Sequence, residues 1–362
     1  MSSSIYKQLL NIVDAGKRAA MVSTVPNGDL EDNPPVKKII FTEEDLHNHD
    51  NNYDFDENFY QKVQYVLQTG NLQFVKVSDK QIYLIEPYFP EAHLIVFGGG
   101  HIAMPLVEFG ALVGFSVTVI DDRPSFANSM RFPKAENVIC ESFDKCFNLI
   151  NLNESSFVVI VTRGHRHDMD CLRKVLEYNT AYIGMIGSKR RVHGAMNQLL
   201  DEGFLKDRLD KVNAPIGIDI GAITPPEIAC AIISQVISYK RLININNGSK
   251  KSIKSTWPEF DRNVLTELSH DEDDQMAIIT IISTKGSVPR KEGAKMLVWS
   301  NGKTLGSIGG GCSEGEVIII ARDVIRNGGY QIETVDMTGS VAEDEGMVCG
   351  GIMEVLIESF KK

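Results

Sequence analysis

The chain has 362 residues, of which 43% are apolar, more than one hydrophobic core accommodates, so two or three globular domains are expected. A net charge of −11 argues against a nucleic-acid partner or an anionic membrane surface, both of which reward excess Lys and Arg. No apolar run spans a bilayer, the opening Met1-Ser2-Ser3-Ser4-Ile5-Tyr6 lacks the form of a signal peptide, and six irregularly spaced cysteines without a Cys-x-x-Cys pair read as reduced thiols, so a cytoplasmic location is expected.

Residues 1–90 predict a small α+β domain with apolar strands at Met21-Val22-Ser23-Thr24-Val25, Ile39-Ile40-Phe41 and Ile82-Tyr83-Leu84-Ile85-Glu86. Residues 91–245 predict a Rossmann-like domain. Leu94-Ile95-Val96-Phe97 leads directly into Gly98-Gly99-Gly100-His101-Ile102-Ala103; an apolar helix runs to Gly114, and a second strand, Ser116-Val117-Thr118-Val119-Ile120, ends in Asp121-Asp122. That order is the dinucleotide pattern: the free N–H groups of the helix start favour phosphate, and an acid about 20 residues on receives a ribose hydroxyl. Gly98, Gly100 and Asp121 are therefore candidate nucleotide contacts, and the alternative is a doubly wound fold that keeps the turn for packing alone.

Further strands at Asn137-Val138-Ile139-Cys140, Phe157-Val158-Val159-Ile160-Val161 and Ala181-Tyr182-Ile183-Gly184 alternate with helical stretches, predicting a parallel sheet covered by helices on both faces. Thr162-Arg163-Gly164-His165-Arg166-His167-Asp168 follows a strand end, where such sheets hold ligands; His165, His167 and Asp168 can bind a metal, move a proton or form a solvated helix cap. Gly187-Ser188-Lys189-Arg190-Arg191 opens a helix with a basic cluster, suited to a phosphate or to solvent, and Thr224-Pro225-Pro226-Glu227 is a capping box. Past Tyr239 the chain turns polar, which places a linker at 246–262.

Residues 263–362 predict a second α+β domain, because 277–335 align with 19–77 at a constant offset of 258, with Lys37 on Lys295 and Gly70 on Gly328. The fold class is thus α/β, with a central doubly wound parallel sheet flanked by two copies of a small α+β domain. The copies differ where chemistry is richest. Pro289 and Arg290 have no counterparts in the first copy, and Gly309-Gly310-Gly311-Cys312 falls opposite Asn51-Asn52-Tyr53-Asp54. The second copy also holds an extra segment of roughly a dozen residues, as a functional loop does, containing Gly346-Met347-Val348-Cys349-Gly350-Gly351. A thiolate is a nucleophile and a soft metal ligand, and glycine lets backbone approach a ligand. Cys312 and Cys349 are accordingly candidate reactive thiols and candidate metal ligands. For either one alone the ordinary alternative is a small buried hydrophobe beside a turn.

These motifs resemble the XdhC/CoxI family of xanthine dehydrogenase maturation factors. The resemblance is carried by Gly286-Ser287-Val288-Pro289-Arg290 with Gly293-Ala294-Lys295-Met296, by Gly306-Ser307-Ile308-Gly309-Gly310-Gly311-Cys312, by the Cys349 motif, and in the centre by Phe97 to Ala103, Asp121-Asp122-Arg123-Pro124, Tyr182 to Ser188 and Ala214-Pro215-Ile216-Gly217. The family usually places the cysteine-bearing domain first, whereas here a full copy follows the Rossmann domain and a degenerate one precedes it. The resemblance implies a non-enzymatic chaperone of the molybdenum cofactor that protects it during sulfuration and passes it to a xanthine dehydrogenase apoenzyme, with a cysteine desulfurase-type sulfur donor and a homodimer as further partners. It implies cofactor contacts from Gly98, Gly100, His101, Asp121, Arg290, Lys295, Gly309, Gly310, Gly311, Cys312 and Cys349, with molybdenum met by Cys312 or Cys349. The competing expectation is an NAD(P)-dependent oxidoreductase, or one component of a xanthine dehydrogenase, using the glycine turn and Asp121.

Overall fold

The computed structural model describes residues 3–26, 36–47, 55–78, 81–241, 243–245, 253–255, 257–270, 275–310, 312–337 and 351–361. Elements run in the order α1 (Ser4–Asp14), β1 (Ala19–Pro26), β2 (Lys37–Phe41), α2 (Glu43–His47), α3 (Glu57–Thr69), β3 (Gln73–Ser78) and β4 (Gln81–Tyr88). Then follow β5 (His93–Phe97), α4 (Ala103–Leu112), β6 (Ser116–Asp121), β7 (Asn137–Cys140), β8 (Ser156–Ile160), α5 (His165–Val175), β9 (Tyr182–Met185), α6 (Lys189–Asp201), α7 (Lys206–Leu209), β10 (Val212–Asn213) and α8 (Pro225–Arg241). A short pair, β11 (Ile243–Ile245) and β12 (Ile253–Ser255), leads to α9 (Arg262–Ser269), β13 (Gln275–Lys285), β14 (Lys295–Trp299), β15 (Thr304–Gly306), α10 (Cys312–Asn327), β16 (Tyr330–Asp336) and β17 (Ile352–Lys361). The chain divides into two compact units, 1–89 with 255–362, and 90–254. No helix among the described residues is long and apolar enough to cross a membrane.

In the first unit the two sequence copies form two antiparallel sheets, ordered β2-β1-β4-β3 and β15-β14-β13-β17-β16. Each copy contributes a helix, two strands, a second helix and two strands. Strand alternation explains the packing: Ala20 and Val22 of β1 turn to Phe59, Val63 and Val66 of α3, while Ala19 and Met21 turn to Met276 and Ile278 of the other sheet. Ala277, Ile279 and Ile281 of β13 turn in the same way to Val317, Ala321 and Val324 of α10. Both faces of both sheets are buried, which is why the central strands read as continuous apolar runs rather than alternating ones. α1 and α9 join the shared core between the sheets through Leu9, Val13, Val264 and Leu268.

Two reciprocal ion pairs are buried between the sheets. Lys38 Nζ donates to Ser23 Oγ (2.9 Å) and to Glu358 Oε1 (2.8 Å), while Lys295 Nζ donates to Thr280 Oγ1 (2.7 Å) and lies 2.6 Å from Glu86 Oε1. All four charged side chains are at most 4% exposed. The lysine of each copy meets the glutamate of the other, so the arrangement is pseudo-twofold. Strand register defines the equivalences: Ser23 faces Lys38 as Thr280 faces Lys295, and Met21 faces Glu86 as Ile278 faces Glu358. Lys295 therefore corresponds to Lys38, an offset of 257, and the expected match to Lys37 is corrected by one residue. Because a one-residue slip in a strand exchanges its faces, the distinction is physical: Lys37 is exposed whereas Lys38 is buried. The offset of 258 holds after the helix, where Gln73 faces Ile85 as Gln331 faces Ile357.

The second unit is a six-stranded parallel sheet ordered β10-β9-β8-β5-β6-β7. This is the doubly wound dinucleotide order, and its direction of winding reverses between β5 and β8. Core residues Ile95, Phe97, Val158 and Ile160 of the middle strands pack with Met169, Leu172 and Val175 of α5 and with Ala195 and Leu199 of α6. Glu227 accepts from the backbone N–H groups of Ile223 (2.8 Å) and Thr224 (2.9 Å), so the predicted capping box starts α8.

Candidate functional site

Three motif segments, far apart in sequence, meet at one end of the C-terminal copy. Gly309 has φ of 150°, a region that side chains other than glycine rarely adopt, and a Cβ there would stand 3.3 Å from Pro289 Cγ. Gly351 is packed closer still. A Cβ on it would fall 2.5 Å from the Ser287 carbonyl oxygen and 2.9 Å from that of Lys285, and Met337 N–H donates to the Gly351 carbonyl at 2.9 Å. The Gly286–Arg290 loop thus backs both the loop that leads into α10 and the start of β17. A Gly351→Ala substitution is expected to destabilise this unit by about 1–3 kcal/mol, the usual cost of forcing extra volume into packed backbone, as measured by urea unfolding.

Glu314, in the first turn of α10, organises the glycine loop. Its Oε1 accepts from Ser307 Oγ (2.7 Å) and from the backbone N–H groups of Ile308 (3.0 Å), Gly309 (3.2 Å) and Gly310 (2.9 Å). Burial pushes the Glu314 carboxyl upward, but the Ser307 hydroxyl and the three N–H groups outweigh it and hold the carboxyl below its ordinary range. Sequence reasoning did not single out this residue. The one signal for it was an acid just inside a helix that follows a glycine run, where the helix dipole favours negative charge.

Of the sequence candidates, Gly309 and Gly310 lie in this loop, and Arg290 is exposed beside it. Cys312 opens α10, although its side chain, like all of Gly311 and Cys349, lies outside the described residues. Lys295 is not at this end; its ammonium sits in the buried intersheet pair with Glu86.

In the second unit Gly98 takes a φ of 110°, and a Cβ there would collide with the Val161 carbonyl, whereas Gly100 faces open space and His101 is exposed. Asp121 turns inward. Its carboxylate accepts from Gly99 N–H (2.8 Å) and from Arg123 Nε and Nη2 (both 2.8 Å), and Arg123 lies 3.6 Å from the Phe126 ring centre. Burial raises the Asp121 carboxyl, yet these donors bring it below the ordinary aspartate range. The expected ribose acceptor is thus already saturated by its own chain.

Next to the glycine turn, a cavity of about 290 Å³ opens between the ends of β8 and β9, lined by Thr162, Arg163, Gly164, His165, Asp168, Ser188 and Arg191 among others. Asp168 is buried at its edge and accepts from Thr162 Oγ1 (2.5 Å) and Thr162 N–H (3.2 Å). No group of three metal-ligating side chains occurs among the described residues, and Asp168 with Thr162 ties down the loop before α5. Burial raises the Asp168 carboxyl despite the Thr162 donors and the neighbouring His165 and His167. A raised carboxyl contributes stability that is complete below its unfolded value, near 4, and is lost as pH rises through the folded value. Asp168→Asn, which keeps the acceptor, is expected to raise the calorimetric melting temperature at pH 7 by about 2 °C and to leave it unchanged at pH 3.

A doubly wound parallel sheet joined to an α+β pair with glycine-cysteine motifs defines a two-part protein. Residues 94–236 match the XdhC Rossmann domain and residues 269–336 match the XdhC and CoxI family. The chain belongs to the XdhC/CoxI family. It is similar to the uncharacterized protein YqeB of Escherichia coli (strain K12), 30% identical over 148 residues, covering 41% of this chain and 27% of that protein. It is also similar to a probable xanthine dehydrogenase component of Bacillus subtilis (strain 168), 28% identical over 186 residues, covering 51% of this chain and 53% of that one. The chain thus spans from about a quarter to half of the length of these curated relatives. A crystal structure described as a xanthine dehydrogenase from Bacillus halodurans aligns with a TM-score of 0.38 at 20% identity, covering 66% of this chain and 94% of that chain.

Proposed function

We propose that this protein is an accessory factor for xanthine dehydrogenase that binds the molybdenum cofactor, shields it during sulfuration and delivers it to the apoenzyme. The observation that carries this reading is the meeting of the Gly286–Arg290 loop, the Ser307–Gly310 loop and Gly351 at one end of the C-terminal copy, where the sequence attaches Cys312 and Cys349. The residue types fit the group. Thiolates are soft ligands suited to molybdenum, and Arg290, exposed at the same end, can pair with an anionic pterin substituent. When bound, the cofactor supplies a thiophilic metal with dithiolene and sulfido ligands. The chain's part is to hold it. Cys312 and Cys349 offer thiols, and Glu314 fixes the loop that leads to Cys312 by collecting the N–H groups of Ile308 to Gly310. The name of the Bacillus subtilis relative supports xanthine dehydrogenase as the client. Against the NAD(P)-dependent alternative stands the saturated Asp121 carboxylate, which leaves a ribose hydroxyl no free acceptor there.

Pterin analysis of full-length protein purified from molybdopterin-producing cells tests this reading. Bound pterin, detected by fluorescence after oxidation and lost on combined Cys312→Ala and Cys349→Ala substitution, is the expected result. Pterin-free wild-type protein overturns it.

A further inference from the structure

Arg163 and Asp122 form a bridge above the nucleotide-binding edge of the second unit. Arg163 Nη1 donates to Asp122 Oδ1 at 2.9 Å and Nη2 to Oδ2 at 2.8 Å. Arg163 follows β8 and Asp122 follows β6, and β5 lies between those two strands, so the pair spans the end of β5. In open parallel sheets that is the path of an extended ligand. A dinucleotide lying from the β6 side to the β8 side has to part the two residues. The remaining space is on one side of the bridge, in the cavity between β8 and β9, and Arg163 lines that cavity together with Arg191. α5 and α6 both begin there.

The pairing geometry identifies the ligand chemistry. A guanidinium that grips a carboxylate through two parallel N–H···O bonds presents the same planar fork to a phosphate. Arg163 is 40% and Asp122 24% exposed, so the pair sits in contact with water and is open to exchange. Arg191, exposed on the first turn of α6, is in place to take a second phosphate oxygen.

We propose that the cavity between β8 and β9 binds the phosphate or pyrophosphate end of a small ligand, with Arg163 as the recognising side chain and Asp122 as an internal competitor that holds Arg163 until the phosphate displaces it. The glycine turn at Gly98 then serves the fold, while binding is displaced by one strand from where the motif alone puts it. This site stands on the second unit's geometry and not on the cofactor reading above, which pterin analysis tests separately.

Calorimetric titration of the full chain with inorganic pyrophosphate and with ADP tests the assignment, using wild type, Asp122→Asn, Arg163→Gln and Arg191→Gln, each checked for an unchanged melting temperature. Asp122→Asn is expected to tighten pyrophosphate binding about three- to tenfold by releasing Arg163, and Arg163→Gln and Arg191→Gln each to weaken it about tenfold. ADP binding as tightly as pyrophosphate confirms recognition of phosphate alone, and tighter ADP binding adds a nucleoside contact to the same site. If Arg163→Gln tightens binding as Asp122→Asn does, the pair merely obstructs the crevice and Arg163 is not the recognising residue. Failure of every form to bind either probe at millimolar concentration, or affinities equal across the variants, also overturns the proposal. Arg163→Lys separates charge from geometry: it is expected to recover only part of the affinity lost in Arg163→Gln.

Discussion

Lys295→Met is expected to destabilise the unit formed by the two α+β copies by about 3–5 kcal/mol, because it strands the buried Glu86 carboxylate. The Glu86 carboxylate already has one oxygen, Oε2, with no hydrogen-bond partner, and the same is true of Glu358 Oε2 and of the Tyr6 hydroxyl. Losing the lysine takes away the ammonium that balances Glu86 in a region closed to water. The paired substitution Lys295→Met with Glu86→Leu should recover most of the loss, since replacing a whole buried ion pair by apolar groups of similar size is often neutral or favourable. Urea unfolding followed by tryptophan fluorescence measures this selectively: the chain has two tryptophans, Trp257 and Trp299, and both lie in this unit. Lys38→Met should behave in the same way through Glu358. A single Lys295→Met variant within about 1 kcal/mol of wild type would show that the pair is dispensable to the sheet contact.

Replacing Cys312 or Cys349 is expected to have the largest effect on cofactor loading. Removing one of two soft ligands should lower affinity for the molybdenum cofactor by about ten- to a hundredfold, and removing both should leave less than about a tenth of the wild-type pterin after gel filtration. Stability should hardly change, because both residues belong to elements the first copy lacks while still folding into the same sheet pattern. That contrast separates the two predictions. Lysine substitutions between the sheets lower unfolding free energy, and cysteine substitutions lower bound pterin at constant unfolding free energy. Equal pterin in wild type and double variant would remove the thiols from the site.

Local patterns made much of the architecture legible before any coordinates. Phe97 to Ala103, with its flanking strands and helix, announces a dinucleotide-type unit because glycine turns, strand runs and helix starts are governed by neighbours in the chain. The repeat was visible too, but its register was not. Identity between Lys37 and Lys295 drew the alignment one residue off, and only strand pairing showed that Lys38 is the buried counterpart. Asp121 stands where the motif puts it, yet its carboxylate faces Arg123 and Gly99, an orientation that depends on how the turn folds back.

The amino-acid sequence by itself determined the α/β class, the Rossmann-like centre, the duplicated α+β unit and the family, because each rests on short-range patterns of apolar spacing and glycine placement. The tertiary structure alone decided that the two flanking copies become one unit, locked by Lys38 with Glu358 and Lys295 with Glu86. It also decided that Ser287, Pro289, Gly309 and Gly351 share one end, and that Arg163 bridges to Asp122 over β5. Those contacts join residues tens to hundreds of positions apart. Their partners are selected by which faces the folded strands bury and which strand ends the sheet order brings together, and the linear order of residues does not encode either directly.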